Sequence, residues 1–305
     1  MIGKSNRFPA VVALALLFCA FGVSAKEGKI TDAKKEAELY AQRSIDYQKK
    51  SHRKLSANEQ KASDLMDKAD DYIDGAETPA QVDPAVKLYT EATSLAPDWD
   101  KSWWGLAMSY WAKAYLMPHE TKAQKEPAFA LLSEARKCCA RALAIDPMSV
   151  GGNYWLANII LTEGGMKNVV QETIILPEVF KLTDKVAEVD PYFQYGAVFR
   201  TYVVVIVAVP TWLTSSLGYQ PAIILPYIDK GIEMEPNCFV NYISRVSIYQ
   251  KLGDPESRNK ALKDLEYVLT HNPDALRHWE VNNRMRQKEA RKVWKEITGK
   301  EYPAR

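Results

Sequence analysis

The sequence predicts an all-α protein, a tetratricopeptide-like helical-repeat solenoid of antiparallel helix pairs with inserted loops. The first observation behind this prediction is that five segments each read as a helix stopped by a proline. The intervals between these prolines are 50, 44, 45 and 37 residues, and the prolines are Pro97, Pro147, Pro191, Pro236 and Pro273. A recurring stop signal of this kind indicates repeated supersecondary units.

The second observation is the phase of small and aromatic residues, which fits the two-helix tetratricopeptide unit. Small residues let antiparallel helices approach closely, and large residues fill the gap between them. Because that unit has about 34 residues, the longer intervals predict inserted loops. The first-helix positions after Pro97 are occupied by Trp103, Leu106, Ala107 and Tyr110, and the second-helix positions before Pro97 and Pro147 by Ala85, Tyr89, Ala92, Ala135, Cys139 and Ala142.

Composition and charge limit the function classes. The chain has 305 residues, of which 47% are hydrophobic and 26% charged, and its mean hydropathy is −0.29, which is typical of a water-soluble globular protein. The net charge of +2 comes from Lys4 and Arg7, so the chain after residue 25 is balanced. A balanced chain offers no electrostatic case for nucleic-acid binding.

The amino terminus has the layout of a secretory signal peptide. Lys4 and Arg7 precede an apolar stretch at 8–22, and small residues follow at Val23-Ser24-Ala25. We expect cleavage after Ala25, export to the periplasm and no stable membrane span afterwards, because 15 apolar residues are fewer than the about 20 that a spanning helix needs. Two alternatives stay open: retention as a membrane anchor, and lipidation at Cys19, although the residue before Cys19 is large.

The chain after the signal peptide divides into three predicted regions. Residues 26–78 form charged N-terminal helices, 79–273 hold the repeats, and 274–305 form a basic capping helix with a short tail. In the first region, residues 30–54 read as an amphipathic helix, and the capping box Ser56-Ala57-Asn58-Glu59 opens a second helix.

Breaks in the repeat pattern predict where loops lie. Residues 118–127 and 210–221 read as insertions, Gly164-Gly165 as a helix stop, and Gly253-Asp254-Pro255 as a turn between helices. The β-branched run at 202–209 has strand propensity, but it follows Pro191 where a first helix is due. We therefore predict a buried helix there, since repeat context overrides propensity.

The residues of common catalytic mechanisms are missing. The chain has no G-x-S-x-G, H-E-x-x-H, P-loop or G-x-G-x-x-G sequence, so we predict that it is not an enzyme and uses no cofactor. Its histidines are scattered and its cysteines lack C-x-x-C spacing, which favours neither a metal site nor a disulfide framework. These residues are His52, His119, His271 and His278, with Cys138, Cys139 and Cys238 after the signal peptide.

The first helices of the repeats predict an inner wall that is unusually aromatic and apolar. In one interpretation this wall is a groove for an apolar ligand or partner segment. In the other, insertions and neighbouring helices bury the same rings as additional core. The expected wall residues are Trp104, Met108, Trp111, Tyr154, Asn158, Tyr195, Val198, Tyr202, Ile243 and Ser247.

Arg200 and Arg245 both occupy positions where the repeat pattern expects leucine. A buried arginine needs an acceptor. Either an acid of this chain or a ligand carboxylate could supply it, so Arg200 joins the candidate groove residues.

Several segments resemble the T component of tripartite ATP-independent periplasmic (TRAP) transporters, the TatT family. They are Tyr195-Gly196-Ala197-Val198-Phe199-Arg200, the proline-closed helices at Pro210 and Pro236, and the C-terminal run from Asn282-Asn283-Arg284 to Trp294. The resemblance spans about residues 80–298. It implies a periplasmic tetratricopeptide protein that partners the transporter's solute-binding protein and handles hydrophobic or carboxylate-bearing ligands.

The sequence thus leaves two functions open. The first is a TatT-like accessory subunit that binds a solute-binding protein and an apolar or carboxylate-bearing small molecule. The second is a generic cell-envelope scaffold that assembles other proteins through its repeat surface.

Overall fold

A computed structural model describes residues 30–51, 53–167, 169–208 and 221–303. This part of the chain is all-helical and contains no strand. The predicted signal peptide and almost all of the 210–221 insertion lie outside the described residues. The α-helices are α1 (Ile30–Ser51), α2 (Ala57–Asp74), α3 (Asp83–Leu95), α4 (Asp100–Tyr115), α5 (Lys122–Ile145), α6 (Val150–Lys167), α7 (Val169–Val189), α8 (Ala197–Ala208), α9 (Leu225–Met234), α10 (Phe239–Leu252), α11 (Pro255–Thr270) and α12 (Glu280–Thr298).

All five predicted proline-closed helix ends are confirmed. Helices α3, α5, α7 and α9 end two residues before their prolines, and α11 ends at Thr270, three residues before Pro273. Proline stops each helix because it has no N–H to donate and disfavours helical backbone in the residue before it. In the described part of the chain, no helix combines the length and apolar character needed to cross a bilayer.

The chain forms two compact units. Among the described residues, the first unit contains 46–190, and the second contains 30–45 together with 191–303. This division follows packing, whereas the regions 26–78, 79–273 and 274–305 follow the repeat pattern and stay a prediction.

In the first unit, consecutive helices pack as neighbouring pairs: α2 with α3, α4 with α5, and α6 with α7. The small and aromatic residues of the repeat pattern make these contacts, since Ala85, Tyr89 and Ala92 are fully buried on α3. The Tyr89 ring lies against Gly105 of α4, and its hydroxyl donates a hydrogen bond to Asp70 of α2. Tyr89 therefore joins three successive helices.

In the second unit, α10 and α11 surround a core that includes Phe239 and Leu265. The N-terminal part of α1 also packs in this unit, against residues far along the chain. Ser44 accepts a hydrogen bond from the backbone N–H of Tyr192 at 2.8 Å, and Glu36 accepts one from the Tyr227 hydroxyl at 2.7 Å. The sequence predicted α1 but not this packing.

Local signals at helix ends are confirmed in two places. Ser56 and Glu59 form the predicted capping box at the start of α2. Gly253 adopts a left-handed φ of 74°, and Asp254 caps α11 by accepting the N–H of Ser257 at 2.9 Å. The apolar run is helical to Ala208, the last described residue of α8, so the predicted helix is confirmed against the strand propensity of the run. The prediction that this helix is buried is only partly right, because Val203 and Ile206 are buried but Val204 is 66% exposed.

One predicted break is wrong, and another is shorter than predicted. Helix α6 continues through Gly164 and Gly165, because glycine costs only about 1 kcal/mol inside a helix, and the Lys125 ammonium hydrogen-bonds the Met166 carbonyl near the helix end. The 118–127 insertion is shorter than expected, because α5 already begins at Lys122 behind a Thr121 capping box, with Pro127 early in the helix.

We predict that Gly105→Ala lowers the free energy of unfolding by about 1–3 kcal/mol, because the new methyl group would overlap the buried Tyr89 ring. Urea denaturation measures this change. Gly75→Ala is the matched control, since Gly75 is exposed at a φ of −78° with room for a methyl group. Equal stability of the two variants would contradict the close approach of α3 and α4.

Candidate functional site

The first unit brings several predicted wall residues together where α4 packs on α6. The Trp104 indole covers Gly151, so closely that a methyl group there would overlap the ring. Trp111 donates from Nε1 to the Thr162 hydroxyl at 2.8 Å, and its ring centroid lies 5.1 Å from that of Trp155. Helices α4 and α6 therefore pack against each other through these aromatic side chains.

Two further rings extend this cluster. Tyr154 meets Trp155 edge-on, with centroids 5.2 Å apart, and Tyr115 stacks on Trp111 at 5.2 Å. Tyr115 is 50% exposed. We call Trp104, Trp111, Tyr115, Tyr154 and Trp155 the aromatic patch.

Sequence reasoning missed Tyr115 and Trp155. Tyr115 lies one helical turn after Trp111, and this spacing could have found it. Trp155 belongs to the buried face of α6, which the wall register did not include. Its indole N–H is buried without a hydrogen-bond partner, so the patch contains an unused donor.

The other predicted wall residues of the first unit border the patch. Met108 and Asn158 are half-buried. Met108 packs against the core of this unit, and the Asn158 amide donates to the Tyr154 carbonyl of its own helix at 2.9 Å. Both side chains therefore make these contacts within the first unit.

The predicted wall residues of the second unit have mixed positions. Val198 and Ile243 are buried in the core, which agrees with the interpretation of the wall as additional core and not with an open groove at these two residues. Tyr202 is half-buried and packs beside a core of α8 and α9 residues. Tyr195 precedes α8 in a turn with a φ of 58°, and the Ser247 hydroxyl donates to the Ile243 carbonyl at 3.1 Å.

Arg200 has a different set of acceptors from either of those predicted. Its guanidinium donates to the carbonyls of Gln194 at 2.8 Å and Tyr195 at 3.1 Å, and to the Asn241 side-chain oxygen at 2.7 Å. The guanidinium also lies 5.8 Å from the centre of the Trp279 ring. The prediction considered only carboxylates, whereas this arginine holds a turn in which Gln194 and Tyr195 have positive φ angles.

Arg245 confirms the prediction that an acid of this chain satisfies it. Its guanidinium makes a bidentate pair with Asp264, at 2.8 Å from Nε and 2.6 Å from Nη2, and Nη1 donates to Asp229 at 2.7 Å. Burial raises the pKa of Asp264, and the charge and hydrogen bonds of Arg245 oppose that rise. Arg245 therefore serves the fold of the second unit.

The cysteines lie inside the units. Cys138, Cys139 and Cys238 are buried free thiols. Burial raises the pKa of Cys138 to about 12 and that of Cys238 to about 11, so both are protonated at neutral pH and are poor nucleophiles. Within the described ranges, no three histidine, cysteine or acidic side chains gather as metal ligands.

Comparison with protein-family models and with curated proteins finds no match for this chain.

We predict that Arg245→Met destabilises the protein by about 3–5 kcal/mol at pH 7, because it leaves the Asp264 carboxylate buried without its partner. The folded-state pKa of Asp264 would then lie still further above its unfolded value. Protonation would therefore favour the folded state, and the deficit should shrink as the pH falls from 7 toward the ordinary carboxyl range. Urea denaturation across this range measures the trend. Lys137→Met is the control at an exposed pair, and a deficit independent of pH would contradict the assignment.

We predict that Arg200→Met lowers stability by about 1–3 kcal/mol, since the carbonyls of Gln194 and Tyr195 lose a charged donor. Thermal melting followed by circular dichroism measures the loss. Arg141→Met, at an arginine whose side chain is 48% exposed, controls for loss of charge and should melt like the wild type. An unchanged melting temperature in Arg200→Met would show that this arginine does not hold the turn.

Proposed function

We propose that this protein is an exported, periplasmic tetratricopeptide-like repeat protein that binds rather than catalyses. In this proposal it serves as an accessory subunit of a TRAP-type transporter. It binds the transporter's solute-binding protein, and its aromatic patch receives an apolar or carboxylate-bearing molecule. The observation that carries the proposal is the aromatic patch itself, because it combines stacked rings with a buried, unused N–H donor.

Packing in neighbouring helix pairs supports the repeat part of the proposal. A hydrogen bond from a side chain to a proline carbonyl also recurs at several of the proline-closed turns. Trp103 Nε1 donates to the Pro97 carbonyl at 2.8 Å, Asn153 Nδ2 to the Pro147 carbonyl at 3.2 Å, and Asn283 Nδ2 to the Pro273 carbonyl at 3.0 Å. Hydrogen bonds of this kind at three of the five proline-closed turns favour repeated units over an irregular bundle.

The chemistry of the patch favours a ligand that is mostly apolar with one acceptor group. Trp104, Trp111 and Tyr154 are half-buried, and Tyr115 is half-exposed. The patch is therefore partly packed against the protein and partly open to solvent. The Trp155 N–H is buried without a hydrogen-bond partner, and a carbonyl or carboxylate oxygen that enters between the rings would satisfy it. A medium-chain or long-chain carboxylic acid has both features.

The transporter role rests on the signal-peptide layout and on the TatT resemblance of residues 80–298. The alternative, a cell-envelope scaffold, is favoured by another observation. Trp111 and Asn158 already donate hydrogen bonds within the chain, which leaves an aromatic surface of the kind that proteins bind.

We predict that Tyr115→Ser weakens binding of hexadecanoate to the purified protein by about three- to tenfold, because the patch loses its exposed ring. Titration monitored by tryptophan fluorescence measures the affinity. Tyr72→Ser is a matched control, since Tyr72 is 49% exposed on α2, outside the patch, and it should leave binding unchanged.

Native mass spectrometry of protein isolated from its own periplasm, followed by organic extraction, tests the proposal without a chosen probe. A released apolar or carboxylate-bearing molecule, together with capture of a co-encoded solute-binding protein, is the expected result. Protein adducts on an otherwise empty chain would favour the scaffold. No bound molecule and no affinity for a solute-binding protein would overturn the transporter role.

A further inference from the structure

Helix α2 carries a stripe of negative charge. Its 18 residues include six acids and two lysines. Asp64, Asp67, Asp71 and Asp74 follow a spacing of three and four residues, which places them on one side of the helix over about 15 Å. The first three are exposed and Asp74 is half-buried. Lys61 and Lys68 lie on the adjoining face.

Helix α12 carries a stripe of the opposite charge. Its 19 residues include six basic residues and three acids. Arg284, Lys288, Arg291 and Lys295 follow a spacing of four and three residues and share one exposed side over about 16 Å. The structure therefore contains two oppositely charged stripes of similar length, with three exposed acids and one half-buried acid on α2 and four exposed basic residues on α12.

Internal ion pairs use only the ends of the basic stripe. Arg284 pairs with Asp274 at 2.6 Å, and Lys295 pairs with Glu301, but each cation keeps at least half of its side chain exposed. Among the described residues, the central Lys288 and Arg291 have no ion-pair partner. The middle of the stripe can thus accept a negative surface without breaking an internal pair.

We propose that these stripes form an interface between two copies of this chain, with α2 of one copy docking on α12 of the next. Charge complementarity favours a second copy of the chain as the partner, because the chain itself supplies a negative stripe that can face the positive one. The two surfaces differ, so the contact is heterologous and leaves one stripe of each kind open at the ends of a pair. Association therefore continues beyond a dimer unless the rotation between copies closes a ring.

Sedimentation velocity of the full chain in 50 mM NaCl, from about 5 to 500 µM, tests this proposal. We expect the weight-average mass to rise with concentration and to fall in 500 mM NaCl, because exposed charge pairs are screened by salt. The acid-stripe variant Asp64→Lys/Asp67→Lys and the basic-stripe variant Lys288→Glu/Arg291→Glu should each raise the dissociation constant at least tenfold.

An equimolar mixture of these two variants is the decisive sample. Each variant alone must bring an altered stripe against an unaltered stripe whose charge is now partly the same. In the mixture, the intact acid stripe of the basic-stripe variant can dock on the intact basic stripe of the acid-stripe variant, so association between the two variants should be restored. Lys87→Glu/Lys122→Glu changes the net charge as much as the basic-stripe variant, at exposed lysines outside both stripes, and should associate like the wild type.

Three results would overturn the proposal. They are a monomer at every concentration in low salt, a mixture that fails to associate, and normal association of the acid-stripe variant when only the basic-stripe variant is impaired. The last result would mean that α12 docks on a different surface. Circular dichroism of each variant establishes that the compared proteins are folded.

Discussion

This architecture depends on hydrogen-bond donors for the carbonyl groups at the proline-closed turns. A helix leaves its last carbonyls without partners, and the proline that follows cannot donate a hydrogen bond. Donors from the next helix bond the carbonyls of the prolines themselves, as Asn153 and Asn283 do at Pro147 and Pro273. Both asparagines are fully buried, so these two of the five proline turns are joined to the helix that follows.

Close approach of helices explains both the core and the candidate site. Gly105 admits the Tyr89 ring between α3 and α4, and Gly151 admits the Trp104 indole between α4 and α6. The first contact builds the interior of the first unit, whereas the second brings Trp111 within reach of Thr162 and Trp155. The aromatic patch is therefore a product of the same glycine-mediated packing that builds the core.

Most of the buried polar side chains that stood out in the sequence serve the fold. Arg245 pairs with Asp264 and Asp229, and Arg200 donates to the carbonyls of a left-handed turn. The features that favour binding in the first unit are the half-exposed Tyr115 ring beside the half-buried indoles of α4, and the Trp155 N–H without a partner.

The sequence by itself determined the helical class, the five proline-closed ends and the caps at Ser56 and Asp254, because these depend on interactions within a few residues. It also placed Trp104 and Trp111 together on one helix, as part of an aromatic surface. Tertiary structure decided how much of the predicted wall became core, and which acceptors Arg200 uses. It also decided that the start of α1 packs against Tyr192 and Tyr227, residues 148 and 191 positions away from their partners. No local pattern encodes such contacts, since the free energy of burial depends on which surfaces meet after the chain has folded.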